Sequence, residues 1–174
     1  MAQPKEEEKK LNTEDDVRVT DKYILFNTGC FGQWYECEFT VDDVKYSSAE
    51  KFMMAGKATV MGDKDTLALI LKSDDPSEVK QLGRKIKPWD QEKWNNNKED
   101  IVYNGNYGKF SQNEDLKKEI LSYDAKKIFV EASAYDKIWG IGLDTHDKKA
   151  DNEANWLGTN LLGKQITKVR NQLL

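Results

Sequence analysis

Apolar residues fall in short strand-like runs near the front of this chain and at helical spacing through most of the rest. Tyr23-Ile24-Leu25-Phe26, ended by Asn27-Thr28-Gly29, predicts a buried strand. Phe31 to Phe39 continues as an irregular, aromatic-rich extended stretch, and Asp42-Asp43 predicts a turn before Val44-Lys45-Tyr46. At Ser47 the period changes. Ser47-Ser48-Ala49-Glu50 predicts a helix start in which Ser47 caps the free amides and Glu50 reaches back, with the helix running on through Ala58. Glu50, Met53 or Met54, and Lys57 lie three or four positions apart and share one face. A second helix is predicted over 63–72, with Leu67, Ile70 and Leu71 inward. Asp75-Pro76-Ser77-Glu78 opens a third that carries Val79, Leu82 and Ile86, puts Arg84 near its end and stops at Pro88. Trp89-Asp90 begins a segment through Trp94 to Tyr103, which Asn104-Gly105-Asn106 is expected to break. Leu116, Ile120 and Leu121 mark another helix, and Leu162, Ile166, Val169 and Leu173 form the core stripe of a last one. The pattern predicts a single mainly α domain over 21–174 with a few short β-strands, preceded by a charged, disordered tail over 1–20.

The richest chemistry sits at 127–142. The apolar run Ile128-Phe129-Val130 releases into Glu131, Ser133 and Asp136 and closes on Trp139-Gly140-Ile141-Gly142. Acid, hydroxyl, acid and indole just past a strand end is the layout of a site wall. The plainer reading is a strand leaving the core through a turn, with solvated acids and a packed Trp139. For Glu50 the plainer reading is a helix cap, and for Lys57 a solvated surface lysine.

Composition narrows the chemistry. At 174 residues, with 38% hydrophobic and 33% charged, the chain suits one domain. No apolar run approaches the ~20 residues that cross a bilayer, and the N-terminus has no signal-peptide core. Cys30 and Cys37 are too few for a disulfide framework, so reduced thiols in a cytosolic or nuclear setting are expected. His146 is the only histidine, which argues against a zinc enzyme, a Ser-His-Asp hydrolase and a Cys-His protease. Neither a Walker loop nor a dinucleotide fingerprint occurs, and no metal or cofactor is expected. The net charge of −4 opposes broad non-specific binding to nucleic acid.

A series of blocks, in order, resembles a known family. They are Ser48-Ala49-Glu50-Lys51-Phe52-Met53 with Lys57; Gly83-Arg84; Trp94; Lys109-Phe110-Ser111-Gln112-Asn113; Val130-Glu131-Ala132-Ser133; Asp136 to Gly142; and Gly158 to Gly163 with Val169-Arg170. Together they resemble the NADAR, or YbiA-like, family from about Tyr23 onward. One departure is that many members carry a Ser-Asn-Phe element where this chain reads Gly32-Gln33-Trp34-Tyr35, a stretch expected to shape the substrate pocket.

The resemblance implies a compact, mainly α-helical fold and an N-glycosidase that cleaves at C1′ of a phosphorylated ribose attached to an amine nitrogen. Two substrates are implied: ADP-ribosylated guanine in DNA or RNA, and ribosylated amino-pyrimidine phosphates of the riboflavin pathway. The first is favoured. The implied catalytic residues are Glu50, Lys57 and Asp136. Implied substrate-binding residues are Arg84, Trp89, Trp94, Lys109, Phe110, Asn113, Glu131, Ser133, Trp139, Gly140 and Gly142, with Arg84, Lys109 and Asn113 holding phosphate. Asp136 is expected to handle water or the ribose and Glu50 to transfer a proton. Lys57 offers a second route, attack of its neutral amine on C1′ through a Schiff base, and the sequence leaves the two routes open. A binding module for ADP-ribose or NAD-like ligands without turnover is the competing class, with a structural interaction protein behind it.

Overall fold

The computed structural model describes residues 11–174. The strands are β1 (Val17–Val19), β2 (Tyr23–Phe26), β3 (Phe39–Val41), β4 (Val44–Tyr46) and β5 (Ile128–Glu131). The helices are α1 (Ala49–Met61), α2 (Lys64–Lys72), α3 (Pro76–Gly83), α4 (Gln91–Gln112), α5 (Glu114–Leu121) and α6 (Leu161–Leu173). One sheet runs β1-β2-β5, and β3 and β4 form a separate hairpin. The expectation of a mainly helical single domain with a few short strands holds.

The apolar run 23–26 is uninterrupted because β2 is the central strand and is covered on both faces. It pairs antiparallel with β1 and parallel with β5, Tyr23 opposite Ile128 and Phe26 opposite Glu131. Ile24 and Phe26 enter the main core, where the Phe31 ring lies 5.7 Å from Phe26, 5.0 Å from Phe129 and 5.8 Å from Phe110. Tyr23 and Leu25 point the other way, into a smaller cluster with Val130, Ile141, Leu143 and Ala150.

Residues 11–20, assigned to the tail by composition, instead carry β1. Their charges are paired across the fold: Arg18 donates to the Thr145 carbonyl at 2.6 Å and to Asp151 at 2.6 Å. Asn12 accepts from the Cys30 N–H at 2.9 Å. Residues 1–10, the rest of that expected tail, lie outside the described residues.

Two helical expectations are corrected. The cap of α1 is Ser48, not Ser47; its Oγ accepts from the Lys51 N–H at 3.1 Å. That one-residue shift puts Glu50 at the second helical position, where it cannot close a capping box, and leaves it facing inward. Asn104-Gly105-Asn106 does not break α4, which runs on through it. A Cβ on Gly105 would come within 2.6 Å of the Phe52 ring, so the glycine admits the close crossing of α1 and α4. Asn106 is buried, its Nδ2 donating to the Val102 carbonyl at 2.9 Å and to Gln33 Oε1 at 3.1 Å, while its Oδ1 has no hydrogen-bond partner. Tertiary packing overrides the local propensity here.

Candidate active site

A cleft of about 580 Å³ opens between α1, the end of α3, residues 27–35 and the loop after β5. That volume is within the roughly 300–1,000 Å³ range of small-molecule sites. Glu50 and Lys57 reach it from the shared face of α1. The Glu50 backbone N–H donates to the Gln33 carbonyl at 2.9 Å, which ties the helix start to the 32–35 turn. With Glu50 only 6% exposed, burial pushes its carboxyl up to about 7; Asp136 adds to the rise, and Lys80 and Lys57 oppose it. Burial also draws the Lys57 ammonium below the ordinary lysine range, opposed by Glu50 and reinforced by Arg84. Its Nζ lies over two indoles, 4.8 Å from the Trp89 centroid and 5.7 Å from that of Trp94.

Glu131 enters where β5 ends. Its N–H donates to Asn160 Oδ1 at 2.9 Å, and Asn160 Nδ2 donates to the Phe129 carbonyl at 3.1 Å. Asn160 therefore clamps the strand from the start of α6, using a left-handed backbone (φ 52°) that asparagine tolerates. Oε2 of Glu131 is buried with no hydrogen-bond partner. Burial, then Asp136 and Glu50, push this carboxyl up to about 8, against the pull of Lys80. A carboxyl in that setting is a neutral acid near neutral pH and has a proton to donate.

The loop after β5 is held by its own acid. Asp136 Oδ1 accepts from the N–H groups of Ile138 at 2.9 Å and Trp139 at 2.8 Å. The N–H of Asn160 then donates to the Gly140 carbonyl at 3.1 Å, and that of Leu162 to the Trp139 carbonyl at 3.1 Å. Gly142 takes a left-handed φ of 72°, which favours glycine. The Asp136 carboxylate and the Trp139 indole face the cleft.

Across the mouth, α3 supplies Lys80, and Arg84 follows directly at its C-cap. Gly83 lets this end of α3 press on Met54 of α1, since a Cβ there would collide with the Met54 sulfur.

Of the expected residues, Glu50, Lys57, Asp136, Arg84, Glu131 and Trp139 line one cleft, and Trp89 stands beside it over Lys57. The others have different places. Lys109 is 0% exposed and donates to the Gly32 carbonyl at 2.9 Å, so it supports the pocket floor from beneath and does not reach phosphate. Burial draws its ammonium down to about 8. Phe110 belongs to the core. Asn113 Nδ2 donates to the carbonyls of Glu38 and Lys109, both at or below 2.9 Å, which joins α4 to the segment before β3. Trp94 is buried beneath Lys57. Ser133, Gly140 and Gly142 shape the loop from behind: Gly140 lies against Ser133 and the Glu131 carbonyl, and Gly142 against Leu157. Lys80 was missed, although its spacing of four from Arg84 put both on one helix face. The turn at 27–29 was also missed as site material, having been read only as a strand end.

The NADAR domain matches residues 22–174. An N-glycosidase of Acanthamoeba polyphaga mimivirus is 39% identical over 88% of this chain and 97% of its own length. Protein irg-1 of Caenorhabditis elegans is 39% identical over 75% of this chain and 62% of its length. A riboflavin biosynthesis protein of Vibrio vulnificus is 26% identical over 91% of this chain and 41% of its length. The NMR structure of E. coli YbiA superposes with a TM-score of 0.72 at 23% identity, over 94% of this chain and 90% of that one, and shares the fold. The chain belongs to the NADAR domain family.

Proposed function

We propose that this cleft hydrolyses the N-glycosidic bond at C1′ of a phosphorylated ribose, with ADP-ribose on guanine bases as the substrate. The hydrolase class follows from family membership and the 39% identical N-glycosidase. The observation that carries the chemistry is the convergence of Glu50, Glu131, Asp136 and Lys57 on one cleft from two distant parts of the chain.

Leaving of the base builds positive charge on C1′ and the ring oxygen, so a carboxylate must stand near and the departing nitrogen must gain a proton. Glu50, whose carboxyl burial raises to about 7, supplies that proton from its protonated form. Asp136 spends Oδ1 on the loop and keeps Oδ2 to orient water or the ribose hydroxyls. Lys57, with its basicity depressed, offers the covalent route: its neutral amine bonds C1′, the base leaves with a proton, and water later releases the sugar from the ring-opened imine. Trp139 and Trp89 present aromatic surface to the base or ribose.

Incubation with ADP-ribosylated DNA and, separately, with a ribosylamino-pyrimidine phosphate tests the assignment by chromatography of the products. Release of ADP-ribose supports it. Release only from the pyrimidine substrate transfers the chain to the chemistry suggested by the Vibrio relative's name. Tight binding with every substrate intact makes it a binding module.

A further inference from the structure

Lys109 is a buried charge for which the proposed reaction has no task. It is 0% exposed, and among the described residues it forms no ion pair. Its Nζ donates to the Gly32 carbonyl at 2.9 Å and otherwise lies against rings, 5.0 Å from the Phe110 centroid and 5.5 Å from that of Tyr35. The titratable groups that act on it are the thiols of Cys30 and Cys37. Asp115 of α5 acts on both thiols, Glu119 of α5 on Cys30, and Glu36 on Cys37. Burial raises both thiols, Cys30 to about 12, so neither supplies a thiolate to balance the ammonium near neutral pH.

A charge so placed destabilises the fold. Burial draws the ammonium down from 10.5 to about 8, so between those values the unfolded chain holds a proton that the folded chain has released. The penalty is full below pH 8 and fades as pH rises through 10.5. Hydrogen bonding does not demand the lysine either. The Gly32 carbonyl also accepts from the Tyr35 N–H at 3.2 Å, and it would keep that donor beside an apolar side chain of the same length. A methionine suits such a space between two rings and two thiols.

What the charge adds is rigidity at the cleft. A charge-assisted bond is about twice as strong as a neutral one. Here it holds the head of the 32–35 turn, and the next carbonyl of that turn, Gln33, receives the Glu50 N–H at 2.9 Å. The ammonium is thus linked through two peptide units to the start of α1 and the buried Glu50 carboxyl. We propose that Lys109 is a positioning residue for the proton donor, its ammonium locking the 32–35 turn against α1 so that Glu50 stays out of water, while the same charge lowers the stability of the fold. This rests on the reading of Glu50 as the acid of an N-glycosidase.

Lys109→Met tests the role by calorimetric scans, a carboxyl-carbon NMR titration of Glu50 (assigned with Glu50→Gln) and steady-state rates. The variant is expected to melt above wild type at pH 7, with the gap narrowing at pH 10. Its Glu50 midpoint is expected to fall by about one pH unit or more as water reaches the carboxyl. Its kcat should drop at least tenfold, with the alkaline limb of the pH profile moving down alongside the midpoint. A variant that fails to fold or melts no higher than wild type at pH 7, a gap that does not narrow, an unmoved Glu50 midpoint or an unchanged kcat each overturns the proposal. Base release by wild type then leaves the glycosidase reading standing. A raised melting temperature and a lowered Glu50 midpoint, with no base release by wild type from either substrate, keep Lys109 as the residue that positions Glu50 and remove the glycosidase reading.

Discussion

The ammonium of Lys57 sits 4.8 Å from the centroid of the Trp89 indole, an aromatic that is itself 43% exposed. The indole attracts the charged form of the amine, a contact of about 0.5–1 kcal/mol at exposed sites, but it also keeps water away from it. Burial draws the amine's proton affinity down, against the opposing charge of Glu50. Trp89→Ala should therefore readmit water and return Lys57 toward ordinary lysine behaviour. The rising acid limb of the kcat/KM profile is expected to move to higher pH; an unmoved limb would separate Lys57 from the rate-determining protonation. Cyanoborohydride added during turnover should fix a sugar to Lys57, detectable by peptide mass, and Lys57→Arg should abolish it.

Glu131 gives a stability test with a fixed sign. Its carboxyl is raised from 4.5 to about 8 on folding. Between those values the folded chain holds a proton that the unfolded chain releases, so stability is full below pH 4.5 and declines as pH climbs through 8. Glu131→Gln keeps the shape without the titration. It is expected to be more stable than wild type at pH 8.5, by on the order of 1–2 kcal/mol, and about equal at pH 4.5. Denaturant melts at the two pH values measure the difference; a gain of the same size at both would contradict the buried-acid account.

Asp136 serves the backbone and the cleft together, and two substitutions separate the duties. Asp136→Asn retains an oxygen for the Ile138 and Trp139 N–H groups but loses the charge. Asp136→Ala loses both bonds as well, at a cost of about 1–3 kcal/mol. Activity should collapse in both variants, while the melting temperature falls mainly in the alanine. A fully active asparagine variant would reduce Asp136 to a loop fastener.

Gly158 lies where the loop after β5 meets the lead into α6. A Cβ there would collide with the Gly140 carbonyl and lie 2.6 Å from both Cα and the carbonyl oxygen of Lys137, all of them backbone atoms that cannot swing aside. Gly158→Ala should cost roughly 1–3 kcal/mol, which for a chain of this length lowers Tm by several degrees. It should also lower kcat by displacing Trp139; a calorimetric scan and steady-state rates check the two together.

The chain's periodicity showed its helices well, because α2, α3, α5 and α6 each have a single apolar stripe packed on the core. It failed where packing replaced propensity. Nothing local reveals that Gly105 faces Phe52, so a triplet with the look of a breaker became mid-helix. The short apolar alternation of Val17-Arg18-Val19 was hidden by its acidic neighbours until Arg18 met Asp151. In the cleft, Glu50 and Lys57 were legible as a shared helix face, and Glu131, Asp136 and Trp139 as a cluster after a strand. Lys109 was not, since a lysine reads as exposed until its burial against Gly32 is seen. Lys80 looked like one more surface charge on a helix full of them.

The parallel pairing of β2 with β5 has a consequence for the newborn protein. The strand that ends at Phe26 leaves the ribosome first, and its neighbour ending at Glu131 emerges only after five helices have been made. Until then Glu50 and Lys57 face no opposing wall, and Asn160, still later, must arrive before β5 is fastened. The proposed site therefore stays incomplete until most of the chain has been made.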